Sequence, residues 1–146
     1  MQRSRPSTQI FLLDTNVLIA AIKDPEKQTS TFQLLLKIIK DPSIRLVGNI
    51  LLAEEMHRYV ELFKSKKAAV LISSLLGKME LVKVPENYVK ICKTYIQTPD
   101  KADVLHAATC LQTGATLITN DRHFDRIKKE GVIKVLSVSE AVRKLL

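Results

Sequence analysis

FLLDTNVL, Phe11 to Leu18, is an apolar run that ends abruptly on a carboxylate and, after Thr15 and Asn16, gives way to a second apolar run, Val17 to Ile22. That pattern predicts a fully buried strand feeding a buried helix, with Asp14 in the turn at the strand's carboxyl end. Open α/β sheets hold their chemistry at that edge. The rest of the chain is organised by whether it returns further acidic groups there.

Working outward, Ser30 to Lys40 predicts an amphipathic helix with Phe32, Leu35, Leu36 and Ile39 on one stripe, stopped by Asp41-Pro42. Ile44 to Gly48 reads as a second strand. Asn49 caps a helix from Ile50 to about Phe63, and a further helix, Lys66 to Leu76, ends at Gly77. Glu80 to Val84 is a third strand closed by Pro85, and a helix from Glu86 to Ile96 leads to Thr98-Pro99-Asp100. Lys101 to Thr113 is helical up to Gly114, Ala115 to Thr119 is a fourth strand, and Asn120 to Glu130 is a turn with a short helix. Val132 to Leu136 makes a fifth strand, and Ser137 or Ser139 starts a helix to Leu146. Strands alternating with helices imply an α/β fold with a mostly parallel sheet covered on both faces. Right-handed crossovers restrict the strand order to a few doubly wound arrangements without choosing among them.

The 146 residues, 46% of them apolar, suit one domain spanning 1–146, with 1–9 as a flexible basic segment. No apolar run approaches the roughly 20 residues that span a bilayer, and MQRSRPSTQ lacks the apolar core of a secretory leader. The expectation is a cytoplasmic protein with no membrane partner. Cys92 and Cys110 lie in helical patterns without metal spacing and read as reduced and structural. A net charge of +8 fits either attraction of polyanions or a margin of solubility. Clustering favours the first: Lys64, Lys66 and Lys67 form one group, and Arg122, Arg126, Lys128 and Lys129 another. Lys64, Lys66, Lys67 and Arg122 are the basic candidates for gripping a substrate. Four glycines supply neither a GxGxxG nor a GxxxxGK(S/T) loop, which sets nucleotide-binding folds aside.

Four acidic positions can meet at the one edge. Asp14 follows strand one, Glu55 lies in the helix after strand two, Asp103 in the first turn of the helix before strand four, and Asp121 in the turn after it. A helix leaving a parallel strand begins near the carboxyl edge, and a helix leading into one also begins there because it runs antiparallel to the strands. Crowded carboxylates repel and take up protons unless a cation offsets them, and Mg2+ or Mn2+ is the usual cation for oxygen ligands. His57, His106 and His123 are isolated and offer no zinc pattern. Each acid also has a plain alternative: Asp14 and Asp121 as helix caps, and Asp100 with Asp103 as a capping box using Asp for Glu. The shared edge argues for ligands, and Asp100 is left to capping. Helical phase separates Glu55 from Glu54: Leu52, Met56, Tyr59, Val60 and Phe63 form the apolar stripe, Glu55 lies at its margin, and Glu54 points away with Arg58 four residues on. Asp103 is likewise marginal to Val104, Ala107, Ala108 and Leu111, whereas His106 falls on the far side, where a solvated histidine is expected. Thr15, Asn16, Thr119 and Asn120 flank the strand-end aspartates and suit supporting roles, Asn16 and Thr119 most of all.

With DTNVL, LLAEEMHRYV and DVLHAATCLQTGATLITNDRHF in view, nearly the whole chain resembles the PIN-domain family of metal-dependent ribonucleases. The last segment is the most specific, joining an acidic helix start, a Gly-terminated helix, a buried strand and a TND turn in the family's order. The resemblance implies a three-layer α/β/α fold with a five-strand parallel sheet of order 3-2-1-4-5. It implies Asp14, Glu55, Asp103 and Asp121 as the catalytic and metal-binding set, Asn16 and Thr119 in support, and Asp125 at an acidic position found in some members. The doubled Glu54-Glu55 departs from the motif, and phase alone selects Glu55. The implied activity is hydrolysis of RNA phosphodiester bonds with Mg2+ or Mn2+, on single-stranded or loop RNA. Many relatives are dimeric toxins of toxin–antitoxin pairs blocked by an antitoxin protein, so an antitoxin partner and a homodimer are expectations; others process RNA. The rival reading is an idle PIN-like module that binds RNA or protein. A phosphoacceptor signalling domain fits less well, since Val82-Lys83-Val84-Pro85 offers no Asp at the end of strand three.

Overall fold

The computed structural model describes residues 8–23, 29–97 and 100–146. Its centre is a five-stranded parallel sheet of order β3-β2-β1-β4-β5, built from β1 (Gln9–Leu13), β2 (Ile44–Gly48), β3 (Glu80–Leu81), β4 (Thr116–Ile118) and β5 (Val135–Leu136). The helices are α1 (Thr15–Ile22), α2 (Ser30–Lys40), α3 (Ile50–Phe63), α4 (Lys66–Lys78), α5 (Glu86–Lys93), α6 (Lys101–Thr113), α7 (Asp125–Lys129) and α8 (Val138–Leu145). The expected fold class and strand order both hold. Most of the expected basic N-terminal segment, and Thr98 and Pro99, lie outside the described residues; Gln9 already belongs to β1.

Phe11, Leu12 and Leu13 are at most 1% exposed because β1 is central, paired with β2 on one side and β4 on the other. Leu46, Leu117 and Ile118 from those neighbours complete the sheet's contribution to the core. From β1 the chain crosses to β2 on one side, and from β3 it returns to β4 on the other, so the β1–β4 seam is the topological switch point. The ladder continues past the strands there: the Asp14 amide donates to the Ile118 carbonyl at 3.1 Å, and the Thr119 amide to Leu136 at 3.0 Å.

Several element ends differ from the sequence expectation. The Lys66 helix does not stop at Gly77 but runs to Lys78, whose ammonium caps α2 by donating to the carbonyls of Ile38, Ile39 and Asp41. β3 is two residues long, not five, because after the Val82 amide donates to Gly48 the neighbouring strand β2 ends and turns into the α3 cap at Asn49. β5 begins at Val135, since the amide of Val132 closes α7 on Ile127 instead of joining the sheet. β4 is likewise limited to Thr116–Ile118, and α5 ends at Lys93 in a turn that ties Thr94 to Ile91 and Tyr95 to Cys92. In α2 the buried positions are Leu34, Leu35 and Ile38, while Phe32, Leu36 and Ile39 are half-buried along a groove shared with α4. Six apolar positions make a face too broad for one stripe, and sheet and α4 divide it.

The largest correction concerns α6. Its neighbours are α5, α3, β1, β2 and β4, which leaves little solvent face. His106, expected to be solvated, is 1% exposed.

Candidate functional site

At the carboxyl edge of β1 and β4 lies a cleft of about 290 Å3. Its lining includes Asp14, Thr15, Asn16, Glu55, Asp103 and Asp121, with Arg58, His106 and His123. The acidic positions read from the sequence thus share one cavity, although they come from four separate elements.

Asp14 stands where α1 begins, but its carboxylate makes no capping hydrogen bond; Oδ2 instead accepts the Thr119 hydroxyl at 2.7 Å. Thr119 Oγ1 in turn accepts the Asp121 amide at 3.0 Å, so one threonine ties the two strand-end aspartates together. Asp121 does cap, accepting the His123 amide at 2.9 Å at the start of a 3-10 turn, Arg122–Phe124. Asp100 caps α6 through the Ala102 amide at 2.9 Å. Asp103 completes no capping box: its Oδ2 lies 2.9 Å from His123 Nδ1, which is also 3.3 Å from Asp121 Oδ1. Glu55 is half-buried and accepts a short hydrogen bond from the Thr15 hydroxyl, whereas Glu54 is exposed.

Electrostatics record the crowding. Burial pushes the Asp14 carboxyl above its ordinary value, and Asp121 nearby adds to that, while the Thr119 hydroxyl and the amides of Thr15 and Asn16 oppose it. Burial also pushes Asp103 up to about 6, opposed by His123 and reinforced by Asp100, Asp14 and Asp121. His123 moves upward in response to Asp103 and then Asp121. A buried thiol offers no rival chemistry: Cys92 is pushed up to about 11 and Cys110 also upward, and both are free and enclosed.

The donor set fits a divalent cation. One ligand atom from each of Asp103, Asp121 and His123 lies within 4.8 Å of the others, the spacing of groups that share an ion. This tight group contains a histidine that the sequence reading had called isolated, and it leaves Asp14 and Glu55 on the walls. Glu55 lines the cleft from α3 and is tied to Thr15, the neighbour of Asp14.

Other candidates fall differently. Asn16 is exposed and lines the cleft. Asn120 turns away, accepting the Val138 amide at 3.0 Å. Asp125 is exposed at the start of α7 and is absent from the cleft lining. Lys66 and Lys67 line the apolar α2–α4 groove instead, and Lys64 and Arg122 are exposed outside the cleft lining. Arg58, assigned by spacing to a surface ion pair with Glu54, is the cation that does line it. Sequence reasoning undervalued Thr15, Arg58, His106 and His123. For two of them a signal was present, since Arg58 and His106 follow Glu55 and Asp103 at i+3; His123 is brought in by the 3-10 turn after Asp121.

A parallel doubly wound sheet with carboxylates gathered at its switch point defines an α/β protein with an acidic cleft at the sheet's carboxyl edge. The chain belongs to the PIN-domain family of nucleases: the family model for the PIN domain matches residues 11–130. Among solved structures it is similar to VapBC2 from Rickettsia felis bound to a promoter DNA fragment, at 24% identity and TM-score 0.61, covering 88% of this chain and 98% of that one. VapBC-1 from nontypeable Haemophilus influenzae matches at 20% identity and TM-score 0.59, covering 90% and 99%. PAE2754 from Pyrobaculum aerophilum matches at 17% and 0.57, covering 94% and 96%. These likenesses concern the fold. A comparison with curated protein sequences finds no match. Among the described residues no helix is long and apolar enough to cross a membrane.

Proposed function

We propose that this chain is a divalent-metal-dependent endoribonuclease that hydrolyses phosphodiester bonds of single-stranded or loop RNA. The observation that carries the reading is the gathering of Asp14, Glu55, Asp103 and Asp121 in one cleft, where burial and neighbouring carboxylates push Asp14 and Asp103 above the ordinary carboxyl range. Such a cluster is costly to keep ionised and becomes tolerable beside a cation. Asp103 and Asp121 are the residues best grouped to hold the ion, with His123 able to lend a nitrogen and Asp14 and Glu55 lining the same cleft; a mixed nitrogen and oxygen set suits Mn2+ better than Mg2+. When bound, the ion supplies Lewis acidity toward the phosphodiester and lowers the pKa of water. The protein's share is positioning: Thr119 fixes Asp14 relative to Asp121, and Thr15 fixes Glu55. The net charge of +8 attracts the polyanion, and a single strand bends into a narrow cleft more readily than a duplex.

Likeness to the VapBC structures supports a toxin role with a protein antitoxin as partner, and homodimerisation is part of the same proposal. The test is incubation of purified protein with a panel of single-stranded RNAs in Mn2+ or Mg2+. Cleavage that stops with chelator and falls at least about a hundredfold in Asp14→Asn supports the reading, since even outer supporting residues commonly contribute 10- to 100-fold. Intact RNA, beside a family nuclease active in the same buffer, sinks it in favour of an idle binding module.

A further inference from the structure

Asn49, which caps α3, also fixes the state of a histidine. Its Oδ1 accepts the Leu52 amide at 3.0 Å, so the orientation of the side-chain amide is set and Nδ2 remains as the donor. Nδ2 lies 3.1 Å from Thr109 Oγ1, whose own hydrogen goes to the Leu105 carbonyl at 2.7 Å; Thr109 therefore accepts from Asn49. Nδ2 also lies 3.1 Å from His106 Nδ1. A donor aimed at Nδ1 requires a lone pair there, and the single imidazole proton then sits on Nε2. Asn49 and His106 are each 1% exposed, so water is poorly placed to substitute in this chain of donors.

The other edge of the ring faces differently. His106 belongs to the cleft lining with Glu55 and Asp100. Among the described residues Nε2 has no protein hydrogen bond, yet it is not one of the fully enclosed unpaired polar atoms, a set holding only Gln112 Oε1. It therefore opens onto the cleft. Burial disfavours the imidazolium, with Glu55 and Asp100 pulling the other way. A neutral N–H brings no positive charge to compete with a cation, and a cleft walled by carboxylates has few donors to offer an anion.

We propose that His106 is a substrate-positioning residue: Asn49 holds it as the Nε2–H tautomer, which gives a hydrogen bond to a phosphate oxygen of a strand bound in the cleft. This rests on the ribonuclease reading for the identity of the ligand, but the tautomer does not.

Two readouts separate the two ideas. The ring nitrogens of His106 in the full chain, observed by 15N NMR, are expected to show a bare Nδ1 and a protonated Nε2 near neutral pH. Asn49→Asp keeps the α3 cap but presents an acceptor, so the proton moves onto Nδ1. Single-stranded oligouridylate added with Ca2+ should shift the Nε2–H resonance. In cleavage assays, His106→Leu should raise KM roughly tenfold or more with a smaller change in kcat, the size of a hydrogen bond to a charged group. His106→Gln, which returns an N–H near that place, should recover most of the loss. A proton on Nδ1 in the unsubstituted protein overturns the proposal, as does an Nε2–H resonance unmoved by saturating RNA. Absence of cleavage with the tautomer intact counts against the enzyme reading alone.

Discussion

Thr119 is engaged on both sides of its hydroxyl, donating to Asp14 and accepting from the Asp121 amide. Replacing it by valine keeps the shape and removes both bonds. Thr119→Val is expected to lower RNA cleavage by about 10- to 100-fold, measured as kcat/KM, while thermal unfolding stays cooperative. Asp103 gives a second test. Its folded pKa of about 6 lies above the unfolded value near 3.9, so between those values the folded chain binds more protons. The stability that Asp103 contributes to the metal-free protein is therefore fully present below that window and is lost as pH rises through it, by on the order of 1 to 2 kcal/mol. His123, raised by the same pair, extends the loss to higher pH. Urea midpoints between about pH 4 and 7 should fall in the unsubstituted protein and flatten in Asp103→Asn; parallel slopes contradict the assignment. At this level the sequence was partly legible. Helical phase separated Glu55 from Glu54, because only one side of α3 meets the cleft. The same reasoning misplaced His106, because phase gives direction and not what waits there: α3 and its Asn49 cap cover the side assumed to face water.

Two glycines illustrate what an element's own sequence can and cannot say. Gly114 ends α6 with φ of 76°, and a Cβ there meets nothing within 4 Å, so Gly114→Ala costs about 1 kcal/mol from backbone strain alone. Gly77 lies inside α4, exposed, with equally open space, so Gly77→Ala should stabilise by about 0.5–1 kcal/mol. Urea denaturation of the two variants checks the opposite signs. Both glycines read as helix ends in the sequence. Only Gly114 is one, because α4 is held for two more residues by Lys78 reaching the end of α2, a contact 37 to 40 residues distant. Strand lengths were misjudged for a similar reason: apolar residues at Val82, Val84, Val132 and Ile133 look like strand, but a strand lasts only while its neighbour offers a partner. Caps at Asn49 and Asp100 were legible in the local sequence, and between Ser137 and Ser139 the structure selects Ser137, where Glu140 completes a capping box.

For the molecule as a whole, alternation of strands and helices was enough for the fold class, while the order 3-2-1-4-5 came from resemblance to a family and not from the pattern itself. Convergence of the acids followed from elementary geometry, since parallel strands bring every carboxyl end to one edge. What the pattern left out was the histidine beside them, because a turn's tightness is not written in residue types. The overall positive charge has its own consequence: RNA affinity should fall with added salt, as a straight line in log–log form, and salt-independent binding contradicts a backbone grip.

The central claim is that an anionic pocket drawn from distant segments is made tolerable by a divalent ion. Calorimetric titration of Mn2+ into metal-free protein, with Asp121→Asn alongside, addresses it directly. Saturable binding that raises unfolding stability by about 2.7 kcal/mol at a hundredfold excess over Kd, and that Asp121→Asn weakens at least tenfold, is the expected result. Absence of binding, or equal binding by the substituted protein, contradicts the account.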